Sequence, residues 1–464
     1  MRDDEPLALG PADIHLTSTD AGPAAPGADE SGAARPGAPA QAPHPAPWVR
    51  RLVLAALVLA ALNLRPAITS LGALLKEVRD GLGMSGTMAG LLTSVPAACF
   101  ALFGFAAPRL ARRRGPGAVV FAGMVAITLG LALRPLAGGT PLFLAASALA
   151  LAGIAVSNVL MPVIVKRYFP DRVGTVTGVY SMALSLGTAV AAAVAVPLTD
   201  AMGGSWRLGL GVWALLAAIA IAPWAPLIRD RSQAPAAGGH TARSRTPEEG
   251  ADRSRTPQGA ATGAGAVEAG GSGRIVRSRT AWMLACYFGL QSTSAYVTMG
   301  WMPQILRDAG ISAGEAGVML AVTMALGVPV SFLLPPLAAR MHAQGPIAVV
   351  LVVFQVAGFA GLWAAPAGAP LLWALLLGVG NCAFPLVLTM IGMRSRSGPG
   401  VVRLSAFAQS TGYLISIPGP ILVGALNQAT GGWGVPLALM IALAAPQLLC
   451  GVLAGRNRHI EDEL

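Results

Sequence analysis

The stretch RLVLAALVLAALNLRPAITSLGALL, residues 51–75, decides the fold of this 464-residue chain. It is long enough for a membrane-spanning helix, which needs about 20 predominantly apolar residues. One charge, Arg65, lies near the middle of the run. Because a central arginine costs roughly 3 kcal/mol on insertion scales, a chain that keeps one is expected to face it toward water, a partner or a ligand. The stretch therefore indicates a membrane protein that handles charge.

The same apolar signal recurs along a chain that is 54% hydrophobic and only 11% charged. Twelve spans are predicted, near residues 51–75, 87–108, 118–137, 142–165, 174–198, 206–228, 281–304, 314–337, 346–364, 370–393, 401–425 and 434–454. They leave no room for a large soluble domain. The predicted fold is an all-α membrane protein of twelve transmembrane helices.

The segments outside the spans are of low complexity. Residues 1–47 are rich in Pro, Ala and Gly, and residues 229–278 in Gly, Ala, Ser and Arg, so both are predicted to be disordered. The halves 48–228 and 279–455 hold six spans each, and 456–464 form a short tail. Residues 1–47 lack the pattern of a secretory signal, so the first span is expected to stay as an uncleaved anchor.

Basic residues gather in alternate loops, which explains the net charge of +11 without nucleic-acid binding. The loops after spans 2, 4 and 10 contain Arg109, Arg112, Arg113 and Arg114, then Lys166, Arg167 and Arg172, then Arg394, Arg396 and Arg403. The positive-inside rule makes these loops cytoplasmic. Both ends of the chain and the linker are then expected to be cytoplasmic, with the protein in the plasma (inner) membrane of a bacterium.

The residue pattern does not indicate an enzyme or a metal-binding protein. The cysteines Cys99, Cys286, Cys382 and Cys450 fall in predicted spans at unrelated spacings, which indicates core packing. No Gly-x4-Gly-Lys-Ser/Thr nucleotide loop occurs. No nucleophile and base pair stands out in the spans. We expect no catalytic residue, no metal and no cofactor.

The second six spans repeat the first at offsets of 223 to 228 residues. An asparagine followed four residues later by proline occurs at Asn158 in span 4 and at Asn381 in span 10, and Asn63 in span 1 pairs with Gln291 in span 7. Two parallel six-helix repeats are the architecture in which a central site opens alternately to each membrane face. The repeat favours a carrier over a channel, a receptor or a membrane-embedded enzyme, although periodicity alone leaves these open.

The chain resembles the cyanate and nitroimidazole transporter branch of the major facilitator superfamily. The resemblance is carried by NLRPAITSLG from Asn63, GIAVSNVLMPVIVKRYFP from Gly153, GTVTGVYSMALSLG from Gly174, YFGLQSTSAYVTMGWMPQIL from Tyr287, LGVGNCAFPL from Leu377 and LSAFAQSTGYLISIPGPILVG from Leu404. It covers residues 50–230 and 280–450 and implies the major facilitator fold. The loop PRLARRRG from Pro108 departs from the superfamily pattern because it lacks an Asp.

Arg65 is the predicted anion seat. It shares one helix face with Thr69 and Gly72, which places a guanidinium beside a hydroxyl and a small residue. Arginine offers planar, multi-donor geometry suited to a carboxylate, nitro group or cyanate. The alternative is a structural arginine that bonds to the carbonyls of a neighbouring helix.

Further polar and aromatic side chains are predicted to line the site with Arg65 and Thr69. They are Asn63, Asn158, Gln291, Tyr296, Trp301, Asn381, Gln409 and Tyr413. Each also has a structural interpretation, since polar side chains bond helix to helix in membranes and tryptophan suits the interface. Arg134 and Lys166, near the ends of spans 3 and 4, are expected to reach the headgroups with their long side chains.

The predicted function is secondary active or facilitative transport of a small anionic or polar planar solute: cyanate-like, nitroimidazole-like or a small carboxylate. The alternative within transport is efflux of lipophilic drugs, and a transporter-like sensor is a further one. No Asp, Glu or His lies in the interior of a predicted span; Asp200 and Glu315 are at the outer ends. Either a proton travels with the substrate, or the carrier is a uniporter or anion exchanger; backbone carbonyls leave sodium coupling open. The expected partners are the solute and the lipid bilayer, and the chain is expected to be a monomer.

Overall fold

The computed structural model describes residues 47–228, the first half, and 275–463, the second half. Every regular element in these residues is helical. The all-α membrane fold is therefore confirmed. The predicted tail up to residue 46 and the linker from 229 to 274 lie outside the described residues.

The first half contains long helices joined by short turns. They are α1 (Pro47–Asn63), α2 (Pro66–Ala73), α3 (Leu75–Leu82), α4 (Gly86–Arg114), α5 (Pro116–Leu133), α6 (Thr140–Tyr168), α7 (Val173–Ala201) and α8 (Trp206–Ile221). Single 3-10 turns occur at Pro170–Arg172, Ala222–Trp224 and Pro226–Ile228.

The second half follows a similar order. Its helices are α9 (Arg279–Asp308), α10 (Ala313–Arg340), α11 (Gly345–Ala364), α12 (Pro370–Asn381), α13 (Ala383–Met393), α14 (Gly398–Ser416), α15 (Pro418–Thr430) and α16 (Gly434–Ala454), with a 3-10 turn at Ile460–Asp462.

Three predicted spans are interrupted, two of them at a proline. Span 1 divides into α1 and α2 at Pro66, span 11 into α14 and α15 at Pro418, and span 10 into α12 and α13 after Asn381. Proline lacks a backbone N–H and has a fixed φ, so it starts a helix more readily than it continues one. Each break leaves backbone and side-chain polar groups within the bundle.

Within the described residues, ten helical segments are long and apolar enough to cross a membrane. The two predicted spans without such a segment are span 7, which is α9, and span 11, which is α14 and α15. Helix α9 has 30 residues but includes the polar run Gln291–Ser294, and α14 contains Arg403 and the polar run Gln409–Thr411 within its 19 residues. The count is consistent with twelve helices without fully confirming that number.

Helix α4 runs antiparallel to the α14 and α15 pair of the second half. Gly86, at the start of α4, faces Gly424 of α15, whereas Gly104, further along α4, faces Ser410 of α14. The end of α4 and the start of α14 therefore lie at one end of the bundle. We call it the basic end, because it carries the arginines of the last turn of α4. The opposite end is the far end.

The two halves are in close contact at the far end. The guanidinium of Arg307 pairs with the carboxylate of Glu77 at 2.7 Å. A Cβ added to Gly90 would lie only 2.5 Å from the carbonyl oxygen of Pro420. Helices α4 and α15 approach this closely because a glycine lies at the contact. The ion pair and the glycine contact together form what we call the far-end seal.

Residues 456–463, which we call the acidic strap, pack against the second half. The carboxylate of Glu461 accepts a hydrogen bond from Ser395 at 2.5 Å, and that of Glu463 accepts one from Thr280 at 2.7 Å. The strap joins the start of α9 to the turn between α13 and α14. The predicted separate tail is thus part of the folded second half.

Two corrections concern residues assigned to loops. Ile275 and Ser278, expected in the disordered linker, are buried with 5% and 0% exposure. Arg394, expected to report topology only, is 1% exposed. Its guanidinium donates to the carbonyls of Ala454 at 2.9 Å and Gly455 at 3.0 Å. The last turn of α16 provides carbonyls that stabilise this buried charge.

Candidate substrate site

Arg65 lies in the break between α1 and α2. Its backbone carbonyl accepts hydrogen bonds from the N–H groups of Ile68 at 2.9 Å and Thr69 at 3.1 Å, so it begins the first turn of α2. Its side chain is half-buried and makes no hydrogen bond or ion pair with the described residues. The side chain of Arg65 therefore does not bond to the carbonyls of a neighbouring helix, which was the alternative structural role.

Three tyrosines from both halves converge on the Arg65 guanidinium. Its charge interacts with the hydroxyl groups of Tyr180 on α7, Tyr296 on α9 and Tyr413 on α14. A tyrosine hydroxyl donates a hydrogen bond as readily as it accepts one. The four groups form a cationic centre surrounded by donors, which suits an anion that approaches Arg65.

Asn158 is part of this centre through Tyr180. The Tyr180 hydroxyl donates to the Asn158 side-chain oxygen at 2.7 Å. The bond occupies the amide oxygen and leaves the amide N–H2 group as a donor. Asn158 is half-buried, so this group remains accessible. The bond joins α6 to α7 beside the arginine.

Aromatic rings enclose Tyr413. Phe100 of the first half stacks on it at a centroid distance of 5.1 Å, and Phe288 meets it edge to face at 4.9 Å. Phe384 packs against Phe288 at 5.7 Å. The cationic centre thus has an aromatic wall, which suits planar solutes.

The predicted amides of the second half lie at the break in span 10. The Gln291 side chain donates to the backbone carbonyl of Asn381 at 3.5 Å, the long limit for such a bond. The Asn381 amide nitrogen is buried without a partner. Gln409 donates to Ser405 at 2.6 Å and remains half-buried. Gln291 thus joins α9 to α12, whereas the bond of Gln409 stays within α14, and no hydrogen bond links any of the three amides to Arg65.

Three predicted site residues have other surroundings. The Asn63 amide donates to the carbonyls of Leu59 at 2.8 Å and Leu216 at 3.3 Å, which ties α1 to α8. Thr69 is fully buried and donates to the Arg65 carbonyl at 3.2 Å. Trp301 is fully buried at the far end, where its ring meets Trp433 at 5.7 Å.

Arg134 is not at the membrane surface, where the sequence analysis placed it. Its side chain is 0% exposed. The guanidinium donates through Nε to Ser147 at 3.0 Å and through Nη1 to the Ala67 carbonyl at 2.9 Å. The prediction is wrong because α2 and α6 close over the end of α5 and supply polar partners in place of headgroups. Lys166, for which the same was expected, is exposed.

On the far-end side of Arg65 the interior is nearly filled. A void of about 10 Å³ lies between α2, α4 and α9, with room for a single water molecule. Its lining includes Gly72, Thr93 and Tyr296. In this conformation the void is too small for a solute beside Arg65 to pass between α2, α4 and α9 toward the far end. No group of metal-ligating side chains occurs among the described residues.

Sequence reasoning missed Phe100, Tyr180 and Phe288. A usable signal existed for Tyr180, since the chain contains only five tyrosines and Tyr180 lies in one of the motifs that carry the resemblance. Nothing in the sequence marked Phe100, because it is an ordinary apolar residue of its span. Its importance comes from the stacking contact with Tyr413 across the two halves.

Comparison with known proteins identifies related sequences over most of the chain. A model of the Major Facilitator Superfamily matches residues 53–420. An uncharacterized transporter, YycB of Bacillus subtilis, is 33% identical over 410 residues, 88% of this chain and 94% of that protein. From Escherichia coli, a 2-nitroimidazole transporter is 31% identical over 412 residues (89% and 97%) and the cyanate transport protein CynX is 30% identical over 383 residues (82% and 91%).

Solved structures agree in fold. A bacterial homolog of the human lysosomal transporter Spinster, in an inward-facing and occupied conformation, superposes with a TM-score of 0.67 at 16% identity. The match covers 90% of this chain and 98% of that one. At this identity the likeness concerns the fold alone.

Proposed function

The chain belongs to the Major Facilitator Superfamily, and we propose that this membrane transporter carries a small anionic or polar planar solute by alternating access. The solute binds at Arg65, between the halves. The substrate class is cyanate-like, nitroimidazole-like or a small carboxylate. Two relatives support this class: one is named a 2-nitroimidazole transporter and the other a cyanate transport protein.

One observation carries the proposal. The half-buried guanidinium of Arg65 makes no hydrogen bond or ion pair with the described side chains, and its charge acts on the hydroxyls of Tyr180, Tyr296 and Tyr413 nearby. A charge inside a membrane protein is expensive unless something compensates it. A bound anion compensates the guanidinium, and the tyrosine hydroxyls donate to its remaining oxygens or nitrogens.

The bundle supplies a plausible transport step. The far-end seal closes one route, and the half-buried groups of the site leave the basic end as the open side. We assign the basic end to the cytoplasm from its arginines. On anion binding the two halves rock, the contacts at Tyr413 change, and the seal between Glu77 and Arg307 separates. The site then faces the opposite side.

The absence of an acid beside Arg65 in the described residues bears on coupling. The site itself holds no carboxylate to carry a proton, so a coupled proton arrives on the solute, or the anion moves down its own gradient or in exchange for another. A pH gradient distinguishes the first of these from the others.

Uptake into liposomes tests the proposal. Purified protein is reconstituted with radiolabelled cyanate, 2-nitroimidazole or short carboxylates outside, with and without a pH gradient. We expect saturable uptake of at least one of these solutes, lost in Arg65→Gln and partly kept in Arg65→Lys, which retains the charge. The aromatic wall of Phe100 and Phe288 makes lipophilic efflux the competing function. Transport of neutral lipophilic compounds by wild type and Arg65→Gln alike, without anion flux, establishes that function instead.

A further inference from the structure

Arg134 connects α2, which directly follows Arg65, to α6, which carries Asn158. Its Nη1 donates to the carbonyl of Ala67, two residues after Arg65 in the first turn of α2. Its Nε donates to Ser147 of α6, about three helical turns before Asn158. No other described side chain bonds to both helices.

The first turn of α2 determines where Arg65 points. The Arg65 carbonyl accepts from Ile68 and Thr69, so residue 65 moves with that turn. All eight residues of α2 are buried, and no side chain caps its start. On the other side of the break, Asn63 holds the end of α1 to α8. Arg134 is therefore the side chain that holds the start of α2.

Simple packing does not account for this arginine. Its charge is fully buried, its Nη2 atom has no partner, and the ring of Phe143 lies 5.8 Å from the guanidinium. Replacing a buried charge by an apolar residue of similar volume is often neutral or stabilising. A buried arginine with a defined carbonyl partner thus indicates a requirement for orientation more than for stability.

We propose that Arg134 is a positioning residue for the substrate site: by bonding α2 to α6 it sets the orientation of Arg65 relative to Asn158 and Tyr180. The proposal rests on the proposed function, in which Arg65 contacts the solute. Arg134 itself does not contact the solute, because its side chain is fully buried. Its loss should weaken binding without slowing the movement of the halves.

Arg207 offers a matched control. It donates to the carbonyls of Pro135 and Ala137 at 2.7 Å each, immediately after Arg134, and bonds to neither α2 nor α6. In liposome uptake of cyanate or 2-nitroimidazole, we expect Arg134→Met to raise KM about tenfold with kcat within about twofold of wild type. Arg134→Lys should recover most of this loss, and Arg207→Met should keep the wild-type KM. A wild-type KM in folded Arg134→Met, or an equal increase in Arg207→Met, overturns the positioning role.

Two further measurements test the positioning role of Arg134 without the Arg134→Met variant. If Arg134→Met does not fold, Ser147→Ala removes only the Nε partner, and we expect KM to rise about threefold; an unchanged KM overturns the role. Independently of transport, Arg65→Cys is made in a chain without its native cysteines and treated with a charged methanethiosulfonate reagent. A changed labelling rate on adding Ser147→Ala supports the role, and an unchanged rate overturns it. A wild-type phenotype of Arg65→Gln, by contrast, defeats the proposed function itself.

Discussion

The two halves share a sequence repeat, but their helices are interrupted in different spans. The first half interrupts its first span at Arg65, whereas the corresponding helix of the second half, α9, continues for 30 residues. The fourth spans show the reverse, because α6 is continuous for 29 residues and its counterpart breaks after Asn381. The consequence is an asymmetry of charge: the break in the first half holds a half-buried guanidinium, and the break after Asn381 in the second half holds neutral, buried amide groups.

Proline placement explains part of this difference. Pro66 directly follows Arg65 and starts α2, whereas Pro162 lies inside α6 without ending it. A proline within a helix removes one backbone bond, and neighbouring helices in a membrane protein can compensate for that loss. The repeat therefore predicts equivalent positions, while packing decides which of them becomes a break.

Removing the charge of the first half has the largest expected effect. We expect Arg65→Gln to lower kcat/KM for the transported anion about 100-fold, since losing one partner of a charged contact costs about 3 kcal/mol. Gln291→Leu, on the corresponding helix of the second half, should lower it only about fivefold, since a neutral hydrogen bond contributes about 1 kcal/mol. Initial uptake rates over a range of solute concentrations give both values. Equal losses would remove the functional asymmetry.

The same substitution in the repeated asparagines sharpens the comparison. Asn158→Asp adds a carboxylate beside Tyr180 and the Arg65 charge, where it competes with the solute. We expect KM to rise about 30-fold, on the order of 2 kcal/mol for two charges near a partly solvated site. Asn381→Asp should raise KM about threefold, since no contact links Asn381 to Arg65. The KM values of both variants are measured at pH 8. A larger increase in KM for Asn381→Asp than for Asn158→Asp would falsify the assignment of the charge centre to the first half.

A glycine pair tests whether the far-end seal takes part in transport. In Gly90→Leu the new side chain meets the Pro420 carbonyl, so the seal cannot close, and we expect uptake to fall about tenfold, consistent with 1 to 3 kcal/mol of overpacking. Gly327→Leu in α10 is the control, because a Cβ there meets nothing within 4 Å. Labelling of Thr93→Cys by a membrane-impermeant thiol reagent reports opening at the far end, because Thr93 is buried beside the void between α2, α4 and α9. Similar behaviour of the two leucine variants would show that the seal has no role.

The smallest expected effect concerns the acidic strap, which has no counterpart in the described first half. Burial raises the pKa of both strap glutamates, but their hydrogen bonds lower it by more. Bonds from Ser395 and the backbone of Arg396 keep the pKa of Glu461 below its ordinary value of 4.5. Bonds from Ser278 and Thr280 do the same for the pKa of Glu463. A carboxyl with a lowered folded-state pKa stabilises the protein above its unfolded pKa. This contribution is lost as the pH falls below 4.5 through the folded-state value.

Thermal unfolding checks this prediction. At pH 7 we expect Glu463→Gln to lower the midpoint by about 2 °C relative to wild type, and the difference should shrink below pH 4 as Glu463 is protonated. Glu315→Gln serves as the control, since its exposed capping box lies at the start of α10, away from the strap. A difference between wild type and Glu463→Gln that stays constant from pH 7 to pH 3 contradicts the pKa argument.

Much of the fold was predictable because membrane helices need long apolar runs. The all-α class and the superfamily with its cyanate and nitroimidazole branch were read from the sequence and are confirmed, and ten of the twelve predicted spans have a matching membrane-length segment among the described residues. Of the predicted site residues, Asn158, Tyr296 and Tyr413 lie with Arg65. Trp301 lies at the far end. Its indole gave no sign of this, since a tryptophan suits a site, an interface or a buried contact equally well.

The sequence by itself determined that this chain lies in a membrane, that it is duplicated and that it keeps an arginine deep in its first span, because hydropathy and repeat spacing are local properties of the chain. Only the tertiary structure decided that Tyr180 bonds to Asn158, that Phe100 stacks on Tyr413, that Arg134 is buried, and that Asn63 bonds to α8 beside the helix break. These facts depend on which faces of distant helices meet. Packing decides which side chains meet when they are about 70 to about 300 positions apart in the sequence, and no local sequence pattern records this.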